Sequence, residues 1–126
     1  MKSLVFTLLA FLVTWQTAQA EVSMPKFFSD NMVLQRERPI RIWGRAANGE
    51  SVTVRFAGSE VSVQTDRTGR WEATLPAMAA DATPREMTVT GRADTVRFTN
   101  VVVGDVWLCS GQSNMEWRLD PTTDCE

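Results

Sequence analysis

The residues best placed to do chemistry form a short polar turn, Ser110-Gly111-Gln112-Ser113-Asn114, which directly follows an apolar run ending at Cys109. A serine at such a turn can present its hydroxyl group to solvent, and its backbone N–H, at the start of a helix, can face a developing oxyanion. Gly111 permits a tight turn and a close approach of substrate to the backbone. Ser113 is therefore a candidate nucleophile, but the match to the G-x-S-x-G pattern is only half complete, because Met115 stands where that pattern has its second glycine.

The same residues also fit a simple helix cap. Ser113-Asn114-Met115-Glu116 has the S-x-x-E spacing of a capping box, in which the serine caps the helix and the glutamate reaches back to the backbone. From the local pattern alone, a cap and a nucleophile both remain open.

The chain of 126 residues contains no histidine. No Ser-His or Cys-His pair can therefore form within it, and no zinc site can use an imidazole ligand. Its cysteines, Cys109 and Cys125, lack CxxC spacing and make a poor metal site, and a disulfide between them remains open. We expect Cys109 to be a buried small residue, and we expect neither a metal nor a cofactor.

The first twenty residues predict an export signal. Lys2 provides a positive start, Leu4–Val13 is a compact apolar run, and Ala18-Gln19-Ala20 has small residues at the positions read by signal peptidase. The apolar run is shorter than the ~20 residues that span a membrane. We therefore expect cleavage after Ala20, export to a bacterial periplasm or the outside, and no membrane attachment of the mature chain.

The charge balance, 13 basic against 15 acidic residues, argues against nucleic acid as a partner, because such binding needs a clustered basic face. From Pro39 to Val103 apolar and polar residues alternate in short runs separated by turn residues, which is typical of an antiparallel β-sandwich or barrel. Residues 77–84 read as a loop. The predicted core is Val52, Val54, Phe56, Trp71, Leu75, Val89, Val96 and Phe98.

Near residue 101 the pattern changes. Val101–Val103 and Val106–Cys109 are continuous apolar runs, as in a strand buried on both faces, and the polar turn and a helix start follow. This order is how the first βα unit of an α/β domain begins. We expect a second domain to begin here and to be cut off.

Tryptophan supplies a further set of candidates. Trp43, Trp71 and Trp117 can form a face on which sugars stack, but a tryptophan on an alternating strand is more often part of the core.

Two longer motifs resemble the sialate O-acetylesterase family. Residues 28–36, FSDNMVLQR, with Pro39 and Trp43-Gly44 after them, resemble the opening of the mature chain in that family. Residues 104–117, GDVWLCSGQSNMEW, resemble the start of its catalytic domain. The resemblance implies a jelly-roll-like β-sandwich over 21–100 after the signal peptide 1–20, and the first strand and turn of a truncated α/β domain of the SGNH-hydrolase type over 101–126.

The resemblance also implies a function. Ser113 would be the nucleophile and its N–H an oxyanion donor, Gln112 and Asn114 would bind substrate, and O-acetyl groups would be removed from sialic acid or a related acetylated sugar without metal or nucleotide. The Asp and His partners lie further along in that family, so we expect an inactive N-terminal piece that lacks a C-terminal catalytic segment. The alternative is a non-catalytic β-sandwich module that binds a glycan or a partner domain.

Overall fold

A computed structural model of the chain describes residues 21–111. Within that range the chain forms seven β-strands and no helix. The strands are β1 (Val33–Gln35), β2 (Ile40–Arg45), β3 (Ser51–Phe56), β4 (Ser59–Gln64), β5 (Arg70–Leu75), β6 (Asp81–Thr90) and β7 (Thr95–Gly104). The prediction of a mainly β chain is confirmed, while the predicted signal peptide, 1–20, lies outside the described residues.

The strands form two sheets. Five of them pair in the order β1-β7-β6-β3-β4, and β2 pairs with β5 in a separate two-stranded sheet. All neighbours are antiparallel except β1 and β7, which are parallel. The prediction of antiparallel pairing was therefore wrong at this edge. The rest of the domain connects β1 to β7, so no tight turn forces the two strands to run in opposite directions.

Both sheets contribute side chains to one hydrophobic core. Ile42 and Leu75 come from the two-stranded sheet, and Val54 and Met87 from the larger one, and all four are fully buried. Alternation along each strand produces this arrangement because successive side chains point to opposite faces of a sheet. The predicted core residues are buried except Val96, which is half-buried and packs against the cluster.

Two turns depend on left-handed backbone conformations. Ala57 and Gly58, which join β3 to β4, have φ angles of 48° and 80°, as a two-residue type I′ hairpin turn requires. Gly69 has a φ of 75°, and a Cβ added there would lie 2.5 Å from the carbonyl oxygen of Ala46. These positions confirm the predicted turns at Ala57–Ser59 and Asp66–Gly69.

The strand β6 begins earlier than the sequence predicts. Asp81 already pairs with Val103, so the predicted loop over 77–84 ends before Asp81. Shifts in register near Arg85 mark a bulge, and Pro84 lies within this irregular stretch. Proline lacks a backbone N–H donor, so its presence argued against a strand here, but a bulge tolerates it.

The apolar run after residue 100 divides into two parts. Val101 and Val103 are buried in β7, between β6 and β1, and the strand ends at Gly104. The run Val106–Cys109 forms no strand and is exposed. The prediction of a buried strand through Cys109, with a buried thiol, was therefore wrong: among the described residues, no strand pairs with this segment, and Cys109 is exposed. The division into domains at residue 101 stays a prediction, and β7 continues through that position.

Candidate functional site

Most of the predicted catalytic turn, including its candidate nucleophile, lies beyond the described part of the chain. Gly111 is the last described residue, so Ser113, Gln112 and Asn114 fall outside it, as do Trp117 and Cys125. What the structure does describe is how the β-domain holds the segment that leads to this turn.

The segment from Phe28 to Arg36 holds β7 in place. The Asp30 carboxylate accepts hydrogen bonds from the backbone N–H of Thr99 at 2.6 Å and from its hydroxyl group at 3.0 Å. The Asn31 side-chain oxygen accepts one from the amide of Asn100 at 2.6 Å. Asn100 has a φ of 56°, so these contacts lie where β7 departs from regular strand geometry.

The end of the same segment fixes the point at which the chain leaves the sheet. The Val106 N–H donates to the side-chain oxygen of Gln35 at 2.9 Å, and the Arg36 N–H donates to the Gly104 carbonyl at 2.9 Å. The Arg36 guanidinium donates to the Asp105 carboxylate at 2.9 Å. That hydrogen bond and the charge of Asp105 raise the pKa of Arg36 above its ordinary value. We call these contacts the exit clamp.

Beside the exit clamp lies an apolar groove of about 300 Å³, which we call the exit groove. Phe27, Phe28 and Trp43 form an aromatic cluster along it, with ring centroids 4.7–5.2 Å apart. The remaining lining residues are Met32, Val33, Leu34, Gln35, Pro39, Ile40, Arg41 and Val106.

A second and larger groove, of about 750 Å³, lies at the two-stranded sheet, and we call it the polar groove. Trp43 contributes to its lining and is 39% exposed. Arg45 and Arg70 also line it, and they are direct cross-strand partners on the exposed side of β2 and β5. Like charges in this position repel each other, so the pair favours an anion in the groove.

The carboxylates that line the polar groove are already engaged. Glu72 forms a two-pronged ion pair with Arg41, at 2.7 and 2.8 Å, which holds the pKa of Glu72 below its usual value. Asp66 accepts hydrogen bonds from the Thr68 hydroxyl group and from the backbone N–H groups of Thr68 and Arg70, and these lower its pKa. Neither carboxylate faces Arg45 in an ion pair within residues 21–111.

The described residues contain no cluster that could hold a metal. No group of three or more metal-ligating side chains comes together in residues 21–111. No helix of this range is long and apolar enough to cross a membrane.

The tryptophans divide between core and surface. Trp71 is 4% exposed and belongs to the core, as alternation predicted, whereas Trp43 is on the outer face of the neighbouring strand. The roles of Asp30, Gln35 and Arg36 were not predicted from the sequence. The signal for them was the motif that carries these residues, but its contacts span about seventy positions of sequence and have no local periodicity.

Comparisons with known proteins connect the chain to esterases. It is 31% identical over 129 residues to a sialate O-acetylesterase of Homo sapiens, covering 92% of this chain and 24% of the relative. It is 33% identical over 104 residues to the sialate O-acetylesterase of Mus musculus, covering 74% of this chain and 19% of that relative. The chain thus spans about a quarter or less of the curated relatives it matches. No protein-family model matches it.

A solved structure is similar as well. A carbohydrate acetylesterase from Xanthomonas citri superimposes with a TM-score of 0.73 at 39% sequence identity. The match covers 77% of this chain and 22% of that structure's chain.

Proposed function

Because the chain is a sialate O-acetylesterase-like family member, we propose that it contributes the nucleophile and a supporting β-domain to an esterase that acts on acetylated sugars. The observation that carries this proposal is the likeness to a carbohydrate acetylesterase in both sequence and fold. The motif around Ser113 supports it, since a serine at a polar turn can present its hydroxyl group as the nucleophile of acyl transfer.

The proposed chemistry is serine acyl transfer. The Ser113 hydroxyl oxygen attacks the acetyl carbonyl carbon while a base takes the hydroxyl proton, and the backbone N–H of Ser113 stabilises the oxyanion. Collapse of the tetrahedral intermediate breaks the ester bond, and the sugar oxygen leaves as a hydroxyl group with that proton. Water then hydrolyses the acetyl-serine to acetate. Gln112 and Asn114 would contact the sugar.

The base must come from outside these residues, because the chain contains no histidine. A serine hydroxyl is a weak nucleophile without an adjacent base, and an ordinary carboxylate of pKa ~4 is a poor one for an alcohol. We therefore expect the 126-residue chain alone to show no appreciable esterase activity.

The proposal extends to the form and location of the protein. We propose that the two sheets are the layers of a β-sandwich, that an α/β domain of the SGNH type begins after it, and that residues 1–20 direct export. N-terminal sequencing of the exported protein should read Glu21-Val22-Ser23. A product that begins at Met1 would contradict export by cleavage.

The test is a rate assay with an acetylated sialic acid and a simple acetyl ester. It compares the chain alone, the protein extended by its continuing reading frame, and the extended protein with Ser113→Ala or Ser110→Ala. The extended protein should be active, and Ser113→Ala should reduce the rate by roughly 10⁴–10⁶-fold. Ser110→Ala is the matched control and should change the rate much less. Full activity of Ser113→Ala would exclude Ser113 as the nucleophile and would favour its interpretation as a helix cap.

The polar groove favours a second candidate function, the binding of an acidic sugar. Trp43 offers an exposed ring for the apolar face of a sugar, and the Arg45–Arg70 pair offers two guanidinium groups for a carboxylate. Titration calorimetry should detect sialic acid and not a neutral acetylated sugar. Arg45→Ala should abolish the signal, while Arg67→Ala, which changes an exposed arginine outside the groove lining, should retain it.

A further inference from the structure

The connection between β2 and β3 ends in a tight turn with the sequence Ala47-Asn48-Gly49-Glu50. The Glu50 N–H donates to the Ala47 carbonyl at 3.2 Å, and Gly49 has a φ of 68° whereas the φ of Asn48 is negative, as in a type II β-turn. Asn48 and Gly49 form the exposed tip of the turn, while Glu50 is buried. Within residues 21–111, no hydrogen bond engages the Gly49 N–H or the Asn48 side chain.

We propose that this tip is a site of spontaneous modification, at which Asn48 is converted to isoaspartate and aspartate. The Gly49 nitrogen forms a bond to the side-chain carbonyl carbon of Asn48, the bond from that carbon to the amide nitrogen breaks, and ammonia leaves with the Gly49 proton. Water then opens the cyclic imide. Opening at the main-chain carbonyl gives isoaspartate, and opening at the side-chain carbonyl gives aspartate. The proposal is independent of the esterase chemistry.

The other asparagines of the described range lack the features of Asn48. Asn31 precedes a methionine and Asn100 precedes a valine, and these side chains hinder the approach of the following backbone nitrogen. Their own side chains are also engaged, because the Asn100 amide donates to the Asn31 side-chain oxygen at 2.6 Å. Glycine has no side chain that obstructs the attack, and its backbone is the most adaptable. Sequence and structure together therefore single out Asn48.

The ends of the same turn are fixed by the buried Glu50. Its carboxylate accepts hydrogen bonds from the Ala47 N–H at 3.0 Å and from the Arg92 N–H in the β6–β7 turn. The Glu50 N–H also donates to the Thr65 hydroxyl group at 2.9 Å, and that hydroxyl group donates to the Ala47 carbonyl at 2.5 Å. We call these contacts the Glu50 clasp. The clasp joins two turns, so a change in the first turn can reach the second.

The two products should affect the Glu50 clasp to different degrees. Isoaspartate lengthens the main chain between the fixed ends of the turn, which strains the contacts of Glu50 with Ala47 and Arg92. Aspartate keeps the length of the main chain. It places a carboxylate beside a cavity of about 40 Å³ that residue 48 shares with Glu50 and Arg92, where the two carboxylates repel each other and the exposed Arg92 side chain offsets part of that repulsion. We therefore expect isoaspartate to loosen the clasp more than aspartate does.

Peptide mapping of the full chain by mass spectrometry tests the proposal. After storage of the folded protein at mildly alkaline pH, where the Gly49 nitrogen loses its proton more readily, the peptide that contains residue 48 should show the mass change from an amide to an acid. Conversion at Asn48 should be at least ~10 times faster than at Asn31 or Asn100, because only glycine leaves the attack unhindered. Asn48→Gln is the matched control and should stay unmodified, since its attack requires a larger ring. Equal conversion at the three asparagines, or an unmodified Asn48, would overturn the proposal.

Hydrogen exchange tests the effect on the Glu50 clasp. In the separated isoaspartyl form, exchange of the Arg92 N–H should be roughly fivefold faster than in the unmodified protein, as expected when one hydrogen bond is lost. The variant Asn48→Asp reproduces the other product and should show a smaller change. Exchange of the Thr99 N–H, which donates to Asp30, is the internal control and should stay the same. Unchanged exchange of the Arg92 N–H in the isoaspartyl form would contradict the loosening of the clasp.

Discussion

The centre of the β-domain and the segment where the chain leaves it both contain valine and tryptophan, yet they differ in the pattern of their apolar residues and in the burial of those residues. In β3, β5 and the last four residues of β6, apolar side chains alternate with polar ones, and the apolar ones are buried. In Val101–Cys109 the apolar side chains are nearly continuous, and burial stops after Val103. Alternating apolar and polar residues are typical of a strand with one face in the core, whereas a continuous apolar run is typical of a strand that is buried on both faces.

The two regions also differ in what holds them. The centre is held by apolar contacts within one shared core, to which both sheets contribute. The exit segment is held by hydrogen bonds and an ion pair on the surface, from Gln35 and Arg36. The centre should therefore respond to changes of volume, and the exit segment to changes of single polar groups.

The largest effect is expected in the centre, from Trp71→Ala. The ring is 4% exposed and lies opposite Gly44 on β2. Glycine has no side chain, so it cannot fill the space that the ring would leave. Truncation should reduce the free energy of unfolding by about 3–5 kcal/mol, as measured by urea denaturation.

Two further variants sharpen this prediction. The Trp71 indole N–H is buried and finds no hydrogen-bond partner among the described residues, so Trp71→Phe loses volume and no hydrogen bond and should cost clearly less. Trp43→Ala, on the exposed face of the same small sheet, should also cost less than Trp71→Ala. Equal losses for Trp43→Ala and Trp71→Ala would mean that the core does not extend over β5.

A smaller effect is expected from Glu50→Ala. Glu50 is 4% exposed, and its carboxylate accepts hydrogen bonds from the backbone N–H groups of Ala47 and Arg92, which joins the β2–β3 turn to the β6–β7 turn. Its loss leaves partly buried donors without a partner and should cost about 1–3 kcal/mol in the free energy of unfolding. Glu21→Ala, at an exposed glutamate, is the control and should leave the denaturation midpoint unchanged.

The centre of the fold could be predicted from the sequence because the patterns that determine it are local. Alternation and turn residues located β2, β3 and β5 and the glycine turn at Gly69, since period-two burial and positive φ are properties of a few neighbouring residues. The start of β6 and the parallel pairing of β1 were missed. A bulge around Pro84 and a partner nearly seventy residues away leave no such local mark.

The third prediction concerns the exit clamp, through Gln35→Ala. The Val106 N–H loses its acceptor, so its hydrogen exchange should become roughly fivefold faster, which corresponds to a hydrogen bond worth about 1 kcal/mol. The denaturation midpoint should hardly change, because the contact is exposed. Gln64→Ala, an exposed glutamine at the end of β4, should leave the exchange of Val106 unaltered. A large global loss would mean that the exit segment belongs to the core.

The candidate site could be predicted from the sequence only in part. The position of Ser113 was predicted from residue types and from a motif, and its roles stay predictions because the turn lies beyond Gly111. What the sequence did not indicate is the long-range support. Asp30, Gln35 and Arg36 contact residues near 100–106, and only the folded arrangement of β1 beside β7 brings them together.

The smallest effect is expected from an exposed carboxylate at the start of β6. Hydrogen bonds from the hydroxyl group and the backbone N–H of Thr83, and from Arg85, lower the pKa of Asp81 from 3.8 to about 2. Because the pKa is lower in the folded chain than in the unfolded one, the resulting stabilisation is fully present above pH ~4 and is lost as the pH falls toward 2. The side chain is exposed, so the change in thermal midpoint over this window should be slight, and Asp81→Asn should remove it. An NMR titration of the Asp81 carboxyl carbon should give a midpoint near 2, whereas a midpoint near 4 would show that the Thr83 and Arg85 contacts do not persist in solution, and with them the ordered start of β6 opposite Val103.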